Sequence, residues 1–181
     1  EIVTIDSRFP SYDFKNKIIS LNPCFIINCI GIIPQKQPKD YKLNIDLPIW
    51  LNENLRKSKI IYPGSDCEID NSEYGKSKKS VTNFVIENHT NTKVIKTSII
   101  GPELNSCKSL FSWAVSKRNQ KIKGYTQQYW SGITSLEWAK ISNDMIDHWN
   151  KFGDVTSPDT ECISKHHLLT VINEIFQLNL E

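Results

Sequence analysis

The chain has 181 residues, enough for one good core with a small lobe, and 23% of them are charged for a net charge of only +2. That balance, with Lys far outnumbering the phosphate-gripping Arg, excludes a dedicated nucleic-acid surface or an anionic-membrane patch. The five cysteines, Cys24, Cys29, Cys67, Cys107 and Cys162, are odd in number and never spaced C-x-x-C, so neither a disulfide framework nor a zinc site is readable.

In chain order, Glu1 to Ile5 reads as a strand, and Phe14, Ile18, Ile19 and Leu21 give a short helix stopped by Asn22-Pro23. Cys24 to Ile30 is apolar at nearly every position, as expected of a central strand covered on both faces, with Gly31 and Pro34 marking its exit. Tyr41 to Leu55 fits a helix bent at Pro48, and Lys59 to Tyr62 is the next strand, which Pro63-Gly64 ends so that Ser65 and Asp66 stand at its C-terminal edge. Val81 to Ile86 is helical, and Lys93 to Ile100 reads as one strand ending at Gly101-Pro102. Farther on, Leu110 to Val115 looks helical, Ile122 to Tyr125 and Tyr129 to Ile133 look like short strands, Leu136 to Trp149 is an amphipathic helix, and a last helix runs from Lys165 to Leu178 with Ser164 as N-cap. Alternating strands and helices predict an α/β fold on a parallel sheet, whose ligands bind beyond the carboxyl ends of the strands. Asn28, Gly31, Ser65, Asp66 and the Ser98 to Gly101 turn all fall at such ends.

The segment with most chemistry is Tyr74-Gly75-Lys76-Ser77-Lys78. On a helix, Tyr74 and Lys78 share a face one turn apart, where an ammonium can act on a phenol, and Ser65 could hydrogen-bond a substrate carbonyl. Taken alone, that spacing is weak evidence and is more often an exposed face of a Lys-rich helix. The four histidines, His89, His148, His166 and His167, show no ligand spacing, and no metal is assigned. The tryptophans fall in apolar patterns, and Trp130 beside Ser131-Gly132 could line a pocket. No apolar run is long enough to span a membrane and no secretory leader is readable, so a cytoplasmic setting is expected.

Taken in order, Ile26-Ile27-Asn28-Cys29-Ile30-Gly31, Pro63-Gly64-Ser65-Asp66-Cys67, Tyr74 to Lys78, Val94 to Gly101 and Ser131 to Leu136 resemble the extended short-chain dehydrogenase/reductases, in particular the dTDP-4-dehydrorhamnose reductase-like branch of sugar-nucleotide reductases. The resemblance implies a Rossmann-like parallel sheet with helices on both faces, residues 1–104 forming the nucleotide-binding core. Residues 105–181 would form a small C-terminal substrate-binding lobe, with segments returning to the core. It implies an NAD(P)-dependent oxidoreductase that reduces a 4-keto-6-deoxy nucleotide sugar, as in dTDP-rhamnose biosynthesis. Tyr74 would deliver the proton, Lys78 would lower its pKa and hold the nicotinamide ribose, and Ser65 would polarise the carbonyl. Asp6, Arg8, Asn28, Cys29, Ile30, Gly31, Ser98 and Ile99 would face NADP or NAD, the choice between them open. Asp66, Gly101 and Trp130 would face the nucleotide sugar, and homodimerisation is left open.

The chain departs from that pattern in three places. The strand, G-x-x-G-x-x-G turn and helix that open the family do not precede Glu1, and the seven glycines are nowhere clustered, so the expectation is a fragment or a decayed cofactor site. The link from Ser65 to Tyr74 is shorter than the family's substrate-covering loop, and Lys96 stands where Arg is common. The rival readings are a non-catalytic sugar-nucleotide-binding or regulatory subunit of the same fold, and a nucleotide-sugar epimerase.

Overall fold

The structure, a computed structural model, describes residues 1–35, 40–88, 90–104 and 107–181. The chain divides into two compact units, residues 1–96 with 144–156, and residues 97–143 with 157–181.

The first unit is built on a four-stranded, wholly parallel sheet of order β1-β2-β3-β7: β1 (Phe25–Ile27), β2 (Lys59–Pro63), β3 (Thr92–Ile95) and β7 (Val155–Thr156). Helix α1 (Tyr12–Leu21) starts where the Ser11 hydroxyl accepts the Phe14 N–H, and ends where Asn22 adopts the left-handed conformation that Asn tolerates. Its buried residues Phe14 and Ile18 join Leu47, Leu51 and Leu55 around Ile60 of β2.

Helix α2 (Leu43–Asn54) carries Pro48 in its interior. A proline there supplies no N–H to the carbonyl four residues back, which is that of Asn44. The fully buried Tyr62 of β2 donates its hydroxyl to that carbonyl at 3.3 Å, so the bond lost to proline is replaced across the sheet-helix interface. Helix α3 (Glu73–Asn88) packs Val81 and Val85 against Tyr62 and Val94. Ile60 and Tyr62 alternate with Ile61, so α1, α2 and α3 cover one face of β2 while Ile61 fills the other.

The second unit holds a parallel pair, β4 (Ser98–Ile100) with β6 (Gly132–Thr134), and an antiparallel pair, β5 (Tyr129–Trp130) with β8 (Ile163–Ser164). Helices α4 (Leu110–Ser116) and α6 (Lys165–Phe176) share a core of Ala114, Leu168, Leu169, Ile172 and Leu178. Ser164 caps α6 by accepting the His167 N–H at 3.1 Å, as its position in the sequence predicts. Helix α5 (Ser135–Asp147) runs from the second unit into the first.

Four sequence expectations fail in instructive ways. Glu1 to Ile5 forms no strand, since no described strand offers it a ladder partner. The apolar run from Cys24 to Ile30 gives only three strand residues, at the edge of the sheet, with Ile27 45% exposed instead of covered on both faces. Lys93 to Ile100 is not one strand: pairing stops after Ile95 and resumes at Ser98 with a different partner, β6. Ile122 to Tyr125 is not a strand, although the Ile122 N–H still bonds to the Glu181 carbonyl.

Candidate functional site

Strand β2 ends at Pro63, and Gly64 leads into Ser65, the N-cap of a 3-10 turn at Asp66–Ile69. Ser65 is 5% exposed; its hydroxyl accepts the Cys67 N–H at 3.2 Å and lies 3.3 Å from Asp66 Oδ1. Its influence on the Tyr74 phenol is to lower that group's pKa, as expected of a hydroxyl able to donate toward a phenolate.

Tyr74 and Lys78 lie on the first turns of α3, as their spacing predicts. Ser72 starts that helix by accepting the Gly75 N–H at 2.9 Å, and Asp70 in turn accepts the Ser72 N–H at the same distance. Gly75 is required by contact: a Cβ there would lie 2.1 Å from the Cys67 carbonyl oxygen and 2.4 Å from Asp70 Oδ1. That approach brings the 3-10 turn, and with it Ser65, up against the helix carrying Tyr74.

Of the run Lys76, Lys78 and Lys79, only Lys78 leaves the solvent; it is 5% exposed. Its ammonium donates to the Pro63 carbonyl at 2.8 Å and sits 4.6 Å from the centre of the Tyr62 ring and 6.0 Å from that of Tyr74. Burial lowers its pKa to about 8, an effect opposed by the charge of Glu68. The Tyr74 phenol shifts up, chiefly through burial, with the Ser65 hydroxyl opposing. This corrects the expectation that Lys78 pulls the phenol down, because its ammonium is directed at Pro63 and lies nearer the Tyr62 ring.

The β1 exit holds a second set. Asn28 is 4% exposed; its Oδ1 accepts the Ile30 N–H at 3.0 Å, while its Nδ2 is buried without a partner among the described residues. A buried amide donor left unpaired costs free energy comparable to a lost hydrogen bond. Cys29 and Ile30 are exposed and Gly31 half-buried, and a Cβ at Gly31 would press to 3.2 Å from Asn44 Oδ1. Asn44 pins this exit: its amide accepts the Ile32 N–H at 2.7 Å, donates to the Ile32 carbonyl at 2.9 Å, and reaches Ser77 of α3 at 3.3 Å. Sequence reasoning missed Asn44; a polar residue on the otherwise apolar stripe of Leu47, Pro48 and Leu51 was the available signal.

Asp6 and Arg8 are exposed, and Asp6 lines an open hollow of about 530 Å³ beside α1, with Asn16, Lys17 and Ser20. Ser98 and Ile99 lie on β4 of the second unit, Gly101 follows that strand, and the half-buried Trp130 packs on the α4 and α6 core. His166 and His167 are exposed on α6, His148 pairs with Asp144 at 2.8 Å, and His89 lies outside the described residues. Among the described residues no three His, Cys, Asp or Glu side chains group as metal ligands, and no helix is long and apolar enough to cross a membrane.

No family model and no curated protein matches the chain. Solved structures do. A dTDP-4-dehydrorhamnose reductase from Clostridium acetobutylicum aligns with a TM-score of 0.70 at 18% identity, over 92% of this chain and 66% of that one. A dTDP-4-dehydrorhamnose reductase from Bacillus anthracis, in complex with NADP, gives 0.66 at 16% identity, over 93% of this chain and 68% of that one. The ADP-L-glycero-D-manno-heptose-6-epimerase of Helicobacter pylori gives 0.72 at 13% identity, over 97% and 66%. Other neighbours are in complex with NAD. The chain thus has the Rossmann-like fold of these sugar-nucleotide enzymes and spans about two thirds of their length. At such identities the likeness is one of fold.

Proposed function

We propose that the chain carries the nucleotide-binding core and the proton relay of an NAD(P)H-dependent sugar-nucleotide reductase acting on a 4-keto-6-deoxy sugar. The observation that carries this reading is the meeting of Ser65, Tyr74 and Lys78 at the carboxyl end of β2 in a parallel sheet. The fold shared with dTDP-4-dehydrorhamnose reductases supports it. Asn28, with its unpaired buried amide, fits a dinucleotide's polar groups, and the exposed backbone of Cys29 and Ile30 beside Gly31 leaves room for them. Asp6 and Arg8 are free at the surface for a ribose or its phosphate. The cofactor, when bound, supplies the hydride.

The chain's own residues handle the proton. A phenol held above its ordinary value is protonated at neutral pH, which is the state an acid needs when the keto oxygen gains electron density. Ser65 can turn its one proton toward that oxygen, and the Lys78 ammonium, with one donor given to Pro63, keeps two for the nicotinamide ribose. A second reading, epimerisation, is supported by the shared fold of the heptose epimerase. The test is oxidation of NADPH or NADH with a 4-keto-6-deoxy nucleotide sugar. Net cofactor oxidation is expected of the wild type, with a loss of about 10²-fold or more in Tyr74→Phe. Equal rates in the two proteins would remove Tyr74 from the chemistry, and epimerised product without net oxidation would favour the second reading.

A further inference from the structure

The 3-10 turn at Asp66–Ile69 buries a carboxylate that the relay does not itself require. Glu68 is 3% exposed, and a carboxylate so far from water costs several kcal/mol unless it is both paired and hydrogen-bonded. Its two oxygens have separate duties. Oε1 accepts the backbone N–H of Ser65 at 3.0 Å, and Oε2 lies 3.4 Å from Lys96 Nζ, at the end of β3. Two residues before Ser65, the Pro63 carbonyl accepts the Lys78 ammonium. The strand exit Pro63-Gly64-Ser65 is therefore gripped at one end by Lys78 and at the other by Glu68.

We propose, resting on the reading of Ser65, Tyr74 and Lys78 as a relay, that Glu68 is a positioning residue: its buried carboxylate fixes the Ser65 backbone and supplies the negative charge that holds the Lys78 ammonium. A neutral side chain of the same shape would cap the Ser65 N–H equally well, so capping alone does not call for a buried charge. Lys96, standing where Arg is common in the family it resembles, lowers the cost of keeping that charge. Lys78 meets the ring of Tyr62 from β2 and that of Tyr74 from its own helix, and Glu68 acts on it from the 3-10 turn through its charge. Tyr74 in turn faces Asp66, Cys67 and Tyr41. Glu68 is the group that raises the Lys78 titration against the effect of burial.

The test uses the full chain with ¹³C-labelled lysine, following the Lys78 Cε resonance against pH and assigning it by its loss in Lys78→Arg. In Glu68→Gln the titration moves to lower pH than in the wild type, and the alkaline limb of kcat for the reduction moves with it. At pH 8, kcat falls about tenfold while KM for the nucleotide sugar changes less than about twofold. If Glu68→Gln does not fold, the neutral pair Glu68→Gln/Lys96→Gln keeps the net charge and is read the same way. A Lys78 titration unmoved in the variant overturns the proposal. Because the resonance reports without turnover, a protein that oxidises no NADPH would defeat the reductase reading and still decide the role of Glu68.

Discussion

Ser65 has two roles for one hydroxyl, the cap of the 3-10 turn and the proposed polarising of the substrate carbonyl. Ser65→Ala is therefore expected to cost about 1 kcal/mol of stability from the lost cap and, separately, about 10²-fold in kcat. Chemical denaturation and steady-state kinetics read the two effects independently, and an unchanged kcat would leave Ser65 with the cap alone. Gly75 has no such duality. Gly75→Ala puts a Cβ into the Cys67 carbonyl and forces the turn and helix apart, for an expected loss of about 1–3 kcal/mol and weakened activity through displacement of Tyr74. A variant as stable as the wild type would show that the turn yields freely. Ser65, Tyr74 and Lys78 could be proposed from the sequence because they fall in order among the other motifs of the resemblance, whereas the Tyr74–Lys78 spacing alone fits an exposed Lys-rich face. Glu68 was missed although Ser65-x-x-Glu68 has the spacing of a capping box; that spacing marks a cap, and only burial separates Glu68 from the solvated Glu73 five residues on.

Among the elements, α2 and β2 are joined by an exchange that neither reveals alone. Pro48 frees the Asn44 carbonyl and Tyr62 takes it up, so Tyr62→Phe should cost about 1–2 kcal/mol in the native background. In a Pro48→Ala background the restored helical N–H satisfies that carbonyl, and the same change should cost measurably less. Additive effects in this double-mutant cycle would argue that the two residues act separately. The sequence showed Pro48 inside the helix but not what takes up the freed carbonyl, since the partner stands fourteen residues on, in another element. The run from Lys93 to Ile100 misled for a related reason. Strand propensity is nearly uniform along it, and only the available ladder partners decide that β3 stops at Ile95 and β4 begins at Ser98.

For the molecule as a whole, the buried Lys78 ties folding stability to pH. Its folded pKa of about 8 lies below the ordinary 10.5, so between those values the unfolded chain binds more protons and stability rises with pH. Below pH 8 the cost of burying the charge is fully present, roughly 3 kcal/mol for a shift of this size, and it is relieved as pH climbs toward 10.5. Lys78→Met should accordingly be more stable than the wild type at pH 7, lose that advantage across the same window, and lack turnover. Denaturation of both proteins from pH 7 to 10.5 checks this, and a stability difference constant over that range would sink it. The sequence by itself determined the alternation of strands and helices and the parallel sheet, because periodicity and turn residues are local properties, and it supplied the residues of the proposed relay. Only the tertiary structure decided that β1 is an exposed edge, that Asn44 pins the β1 exit, that the phenol titrates upward and that a buried glutamate acts on Lys78. Burial and the partners a side chain meets across elements set those four outcomes, and no stretch of neighbouring residues encodes them.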